Sequence, residues 1–202
     1  MPISAEDVKR LHDQTGAGIM DCKRALEEAN GNFDEAVAIL RKQGIRVARK
    51  RADKATQEGV VWSYIHAKNQ IGVLVEVNCE TDFVARTEEF QEFAQEVAMQ
   101  IAAMRPQWVS PEDVPEEIVQ REREILSEQA RSEGKPDHVI EKMVEGRLRK
   151  FFEETCLIKQ KYIRDDRLTI EDLLNELMGK TGERIVVRRF VRYQVGEEIE
   201  ED

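Results

Sequence analysis

The chain has 202 residues, of which 41% are apolar and 36% charged, and this composition excludes disorder throughout. Its net charge of −10 is divided unevenly, with +2 in residues 1–55 and −12 in residues 56–202. This balance argues against direct nucleic-acid binding, which usually needs a basic surface. Three widely spaced cysteines form no disulfide framework or metal motif, and neither a signal peptide nor a membrane span is indicated. We expect a cytoplasmic protein without a metal or cofactor.

Residues 1–50 are predicted to form a small helical module. Ser4 and Asn32 are typical N-caps, and Gly16, Gly18 and Gly31 interrupt the helical pattern. The apolar spacing predicts three short helices over residues 4–13, 19–29 and 32–43.

A basic linker over residues 51–58 is predicted to follow, and the bases already begin in the last predicted helix. The simplest interpretation is a solvated helix end and linker, while contact with an acidic partner or with RNA are sharper alternatives. The bases are Arg41, Lys42, Arg46, Arg49, Lys50, Arg51 and Lys54.

The region 59–196 is predicted to be a core domain of the α+β class. Runs rich in β-branched and aromatic residues predict a hairpin over 60–65 and 71–77, with a third strand only at 185–195. The small antiparallel sheet therefore contains a long helical insertion. An acidic tail over residues 197–202 ends the sequence.

Four helices are predicted within that insertion. The first covers 81–104, and its predicted core face is Phe90, Phe93, Ala94, Val97, Ala98 and Ile101. Ser110 followed by Pro111 indicates a second start, from which a helical hairpin turns at 132–136 and returns through residue 151. The last helix covers 169–179.

No arrangement of residues indicates an enzyme. The three histidines lie far apart, and no nucleophile with a nearby base stands out. Gly179-Lys180-Thr181 matches the end of a phosphate-binding loop, but Leu174 occupies the position of the required first glycine. A helix C-terminus is the better interpretation, and a nucleotide-binding enzyme is a remote alternative.

Two long segments resemble the signature sequences of the elongation factor Ts family. They are residues 15–26, TGAGIMDCKRAL, and residues 77–86, VNCETDFVAR. Shorter matches are 145–151, EGRLRKF, and 182–190, GERIVVRRF. The resemblance runs from about residue 7 to residue 196, in the family's order.

The resemblance implies a ubiquitin-associated-like N-terminal module that docks on elongation factor Tu. It also implies guanine nucleotide exchange: release of GDP from elongation factor Tu during translation elongation, by disturbance of the Mg²⁺ and phosphate site. Both the GDP-bound and the nucleotide-free partner would be bound. Short family members pair through their cores, which implies a homodimer and a 2:2 complex. A free-standing helical adaptor is the alternative function.

The resemblance assigns displacement of the Mg²⁺ site to the segment Thr81, Asp82, Phe83 and Val84, in which Phe83 enters a slot between helices of the partner. Two residue-level alternatives remain open, because Asp82 alone is a plausible helix cap and Phe83 lies seven residues before Phe90. If one helix includes both phenylalanines, Phe83 belongs to the core face.

Partner docking by the N-terminal module is assigned, by the same resemblance, to Ile19, Met20 and Lys23. Met20 is otherwise a possible core residue, and Lys23 an ordinary surface charge. Trp62, in the predicted hairpin, is a candidate for either core packing or self-association.

Overall fold

The computed structural model describes residues 3–198, except for the side chain of Asp137. Most of the predicted acidic tail, Ile199, Glu200, Glu201 and Asp202, lies outside the described residues. The α-helices are α1 (Ala5–Thr15), α2 (Ile19–Glu28), α3 (Phe33–Lys50), α4 (Asp82–Ala85), α5 (Glu88–Met104), α6 (Glu116–Ser132), α7 (Asp137–Thr155) and α8 (Ile170–Thr181). The strands are β1 (Glu58–Ile65), β2 (Ile71–Cys79), β3 (Lys161–Tyr162), β4 (Asp165–Thr169) and β5 (Val186–Gln194).

The chain divides into two compact units. Unit 1 comprises the described residues of Met1–Trp62, Val75–Glu96 and Glu171–Arg188. Unit 2 comprises those of Ser63–Leu74, Val97–Ile170 and Arg189–Asp202. Whether residues 1–50 fold alone, with 51–58 as a linker, stays a prediction.

Helices α1, α2 and α3 confirm the predicted three-helix arrangement, and two of them have the expected caps. The side chain of Ser4 accepts a hydrogen bond from the Asp7 amide at 3.0 Å, and that of Asn32 accepts one from the Glu35 amide at 3.2 Å. The shared core contains Val8, Leu11, Cys22, Ala25, Leu26, Ala29 and Ala36.

The predicted end of α3 near residue 43 is wrong, because the helix continues to Lys50. Gly44 does not end the helix but permits a close approach to α8 within unit 1. A Cβ atom at Gly44 would lie 2.1 Å from the Asn175 carbonyl oxygen, and one at Gly179 would lie 3.1 Å from the Gly44 Cα. A glycine at this position therefore reflects packing and not helix termination.

The three-stranded antiparallel sheet is confirmed, with strand order β1-β2-β5. In β2, Val73, Val75 and Val77 are buried, as strand alternation requires for a core face. The prediction missed a second, two-stranded antiparallel ribbon, β3-β4. Its strands are short and β4 begins with Asp165, a residue type that is depleted in strands, so the sequence gives no strand signal there.

One continuous helix over 81–104 is wrong, since α4 ends at Ala85 and α5 begins at Glu88. Thr87 causes the break. Its hydroxyl donates to the Val84 carbonyl at 2.9 Å and accepts from the Phe90 amide at 3.4 Å, so it acts as a local cap for α5. The predicted core face of α5 is confirmed, because Phe90, Phe93, Ala94, Val97, Ala98 and Ile101 are all buried.

The helical hairpin in unit 2 is confirmed, with α6 and α7 joined around residues 132–136. The predicted start at Ser110 produces a capping box on a single 3-10 turn, Pro111–Asp113, and not a longer helix. Pro115 follows, and α6 begins only after it, because proline fits just ahead of a helix but not inside one. The hairpin core contains Leu126, Ala130, Ile140, Val144 and Leu148.

The last predicted helix is α8, which runs two residues beyond the expected end. Across residues 3–198, none of the helices combines the length and the apolar character that crossing a membrane requires.

Candidate functional site

The segment Thr81, Asp82, Phe83 and Val84 lies where β2 ends and the four-residue helix α4 begins. Thr81 is the N-cap of α4 and its hydroxyl accepts from the Val84 amide at 3.4 Å. Val84 is half-buried and Ala85 is buried, so these two residues attach the short helix to unit 1. Phe83 alone in this segment is an exposed large apolar side chain.

Phe83 is 79% exposed, whereas Phe90 is fully buried. Helical periodicity therefore gave the wrong location for Phe83. The break at Thr87 separates the two phenylalanines into different helices, so the seven-residue spacing no longer places them on one face. An exposed phenylalanine adds little to folding and is available to a partner.

Asp82 forms an exposed ion pair beside Phe83. Its carboxylate accepts a hydrogen bond from the Arg86 guanidinium at 2.7 Å, and the two side chains are 44% and 76% exposed. Exposed pairs of this kind contribute only about 0–1 kcal/mol. Asp82 can therefore exchange Arg86 for a partner's polar group at little cost in stability.

Two glutamates, neither of them a predicted site residue, fix the turn before α4. Glu183 accepts hydrogen bonds from the amides of Glu80 and Thr81, both at 3.1 Å, and from the Thr81 hydroxyl at 2.7 Å. Glu80 in turn accepts from the Arg184 amide at 2.7 Å. Sequence separation of about a hundred residues hides this arrangement from any local pattern.

The proposed docking residues Ile19, Met20 and Lys23 lie on α2 in unit 1. Ile19 is 50% exposed and Met20 is 63% exposed, so neither fills the core. Lys23 is four residues after Ile19, on the same side of the helix, and its ammonium lies 3.8 Å from the Glu27 carboxylate. The arrangement is an adaptable apolar pair with an adjacent positive charge.

The segment Gly179-Lys180-Thr181 is the last turn of α8, as predicted, and no phosphate loop is formed. The Lys180 ammonium lies 3.0 Å from the Glu176 carboxylate, and the Thr181 hydroxyl donates to the Leu177 carbonyl. Within residues 3–198, no cluster of three or more His, Cys, Asp or Glu side chains is placed to hold a metal ion.

Unit 2 has a second exposed apolar surface, on the sheet. The Val195 amide donates to the Gln70 carbonyl at 2.9 Å, so antiparallel pairing places Val191 opposite Leu74. The Ile65 side chain lies 3.2 Å from where a Gly72 Cβ would be, on the same face as Leu74. We call this surface the outer apolar face; its members are Ile65, Leu74, Val191, Tyr193 and Val195, all of which are exposed. Trp62 is half-buried and belongs to unit 1.

These features define a class of α+β protein. It has three N-terminal helices and, on a separate short helix, an exposed phenylalanine that follows a hydrogen-bonded turn. The sequence matches the family model for Elongation factor TS over residues 4–197. It is 56% identical over 195 residues to Elongation factor Ts of Thermosipho melanesiensis, covering 96% of this chain and 100% of the relative. It is 57% identical to the Moorella thermoacetica protein and 55% to the Thermotoga neapolitana protein, each over 98% of this chain and at least 97% of the relative.

The chain therefore belongs to the elongation factor Ts family, and its role lies in translation elongation.

Proposed function

We propose that the protein is a guanine nucleotide exchange factor for elongation factor Tu that works in the cytoplasm without catalysing a chemical reaction. It binds the GDP-bound partner, weakens the hold on Mg²⁺ and phosphate, and stays bound to the nucleotide-free form. Docking uses Ile19, Met20 and Lys23, while displacement uses the Thr81–Val84 segment.

The observation that carries this proposal is the 79% exposure of Phe83 on the short helix α4. An aromatic side chain that contributes little to its own core has most of its apolar surface left to bury in a partner. Asp82, loosely paired with Arg86, supplies an adjacent carboxylate that can meet a polar group of the same partner. Family membership supports elongation factor Tu as that partner.

A few side chains can supply the energy needed to accelerate GDP release. An increase in the GDP release rate of about a thousandfold needs roughly 4 kcal/mol off the barrier. Full burial of a phenylalanine supplies about 1.5–3 kcal/mol, and a charged hydrogen bond adds a comparable amount. Linkage makes the effect reciprocal: the factor by which this protein weakens GDP binding is the factor by which GDP weakens its own binding.

The test is the release of fluorescent GDP from purified elongation factor Tu, measured over a range of concentrations of the full chain. We expect the release rate to rise with concentration and then to saturate. Phe83→Ala should lower the saturating rate. The proposal fails if the wild-type chain binds elongation factor Tu but leaves the GDP release rate unchanged.

That same failure would favour the adaptor alternative, which the exposed pair Ile19 and Met20 also fits. An adaptor needs the N-terminal module alone. Ile19→Ala together with Met20→Ala would then abolish binding, while Phe83→Ala would leave binding and release unaffected.

We further propose that two copies associate through the outer apolar face, which gives a homodimer and a 2:2 complex with elongation factor Tu. Several apolar side chains exposed together on one sheet surface usually mark an interaction site. Sedimentation should show a species of about twice the 23.4 kDa monomer mass. A 23.4 kDa species at every concentration would remove the dimer.

A further inference from the structure

We propose that Glu183 and Glu80 are positioning residues for nucleotide exchange: together they fix the turn before α4 and so hold Phe83 in the orientation that enters the partner. This inference rests on the proposed exchange function. Neither glutamate needs to touch elongation factor Tu, and all of the residues involved belong to unit 1.

The Glu183 carboxylate uses both of its oxygen atoms on two consecutive residues. One oxygen accepts from the backbone amides of Glu80 and Thr81, and the other accepts from the Thr81 hydroxyl. Three donors on one carboxylate restrict the direction in which the chain leaves β2. Thr81 is also the N-cap of α4, so the same contacts fix the start of the helix that carries Phe83.

The Glu80 side chain adds further contacts at the same turn. Its carboxylate accepts from the Arg184 amide at 2.7 Å and from the Arg51 guanidinium at 2.6 Å. The Arg184 guanidinium donates to the Lys54 carbonyl at 2.7 Å. The turn is therefore held between two remote chain segments, one directly after α3 and one between α8 and β5.

The chemistry of these contacts explains why carboxylates are used. A carboxylate has two acceptor oxygens and no donor, and hydrogen bonds to a charged acceptor are stronger than neutral ones. The Glu183 side chain therefore satisfies two amides and a hydroxyl at once. A glutamine keeps one acceptor oxygen of the same reach, and an alanine keeps none.

Rigidity at this turn matters because Phe83 follows Thr81 by only two residues. An exposed side chain on a loose turn must be ordered when it binds, and that ordering weakens the interaction that drives displacement. Docking through α2 does not depend on the turn. Loss of the glutamate contacts should consequently lower the maximal exchange rate and leave the half-saturating concentration nearly constant.

The first measurement is amide hydrogen exchange in the isolated protein, which does not involve elongation factor Tu. In Glu183→Ala, the amides of Glu80 and Thr81 should exchange at least about tenfold faster than in the wild type, because they lose their acceptor. Glu183→Gln should restore much of the protection. Glu76→Ala is the matched control, since Glu76, on β2, is as buried as Glu80 and pairs with Arg188 on β5.

The second measurement is GDP release from elongation factor Tu with the same variants. Glu183→Ala should lower the saturating release rate by about tenfold or more, with a half-saturating concentration within about threefold of the wild type. Glu183→Gln should recover part of the rate, and Glu76→Ala should match the wild type. If Glu183→Ala does not fold, Glu183→Asp replaces it, because its shorter side chain cannot reach both amides and the hydroxyl.

Three results would overturn the inference, and each has a different meaning. Unchanged amide protection would show that Glu183 does not hold the turn. Faster amide exchange with a normal saturating release rate would show that a fixed turn is not needed for exchange. A wild-type protein that fails to accelerate GDP release would remove the proposed function itself, whatever the amide exchange shows.

Discussion

Replacing Phe83 by alanine separates a binding role from a structural one. A fully buried phenylalanine costs about 3–5 kcal/mol when it is truncated to alanine. Only about a fifth of Phe83 is buried, since it is 79% exposed, so the corresponding cost is about 1 kcal/mol or less. For a chain of this length, that lowers the melting temperature by at most roughly 2–4 °C. Phe90→Ala is the control, because Phe90 is fully buried and should show the full cost.

Thermal unfolding and GDP release on matched amounts of folded protein test this expectation. Phe83→Ala should lose at least about tenfold in the saturating GDP release rate, which corresponds to roughly 1.4 kcal/mol of the barrier. Phe90→Ala should show the reverse, with a strongly lowered melting temperature and near-normal exchange per folded molecule. A large drop in the melting temperature of Phe83→Ala, with normal exchange, would refute the assignment of Phe83 to partner binding.

Three further experiments test the packing of α3 on α8, the burial of Cys79 and the proposed dimer. In chemical denaturation, Gly44→Ala should destabilise the fold by about 1–3 kcal/mol, because the added Cβ clashes with α8. Gly146→Ala is the control and should be neutral or stabilising, because its Cβ would meet no atom within 4 Å. Equal effects of the two changes would contradict the close approach of α3 and α8. Burial, and then the nearby Glu183 carboxylate, raises the pKa of the Cys79 thiol to about 11. At pH 8 only about one molecule in a thousand then carries the thiolate, so Cys79 should resist alkylation until the protein unfolds, and rapid labelling of folded protein would argue against that environment. Tyr193→Lys should shift sedimentation toward the 23.4 kDa monomer with little change in melting temperature, because Tyr193 is 71% exposed. An unchanged dimer would place the interface elsewhere.

Local signals in the sequence were sufficient for most of the fold. Ser4 and Asn32 cap α1 and α3 through their own neighbours, and such contacts depend on residues three positions apart. The runs of β-branched and aromatic residues likewise located β1 and β2. The predicted end of α3 at residue 43 was wrong because Gly44 serves to pack against α8, which lies more than a hundred residues away in the sequence.

The candidate site was only partly accessible from sequence. The family signature identified Thr81, Asp82 and Phe83, but periodicity placed Phe83 in the core. The exposure of Phe83 depends on Thr87. Its hydroxyl interrupts the helix by donating a hydrogen bond to the Val84 carbonyl and accepting one from the Phe90 amide. A threonine near a helix start is a recognisable signal for such a break. Contacts between residues 80–81 and Glu183 carry no local signal at all.

In unit 1, the residues proposed to contact the partner are separate from those that hold the fold. Phe83 and Met20 are largely exposed, so changes at these positions should affect folding little, and under the proposed function they should affect binding much more. Exchange, however, requires more than contact area, because a ligand shifts an equilibrium only by its differential affinity for the two states. Phe83 must therefore fit the nucleotide-free partner better than the GDP-bound one. A side chain on a turn fixed by Glu183 can make that distinction, since it cannot move aside to fit both states equally well.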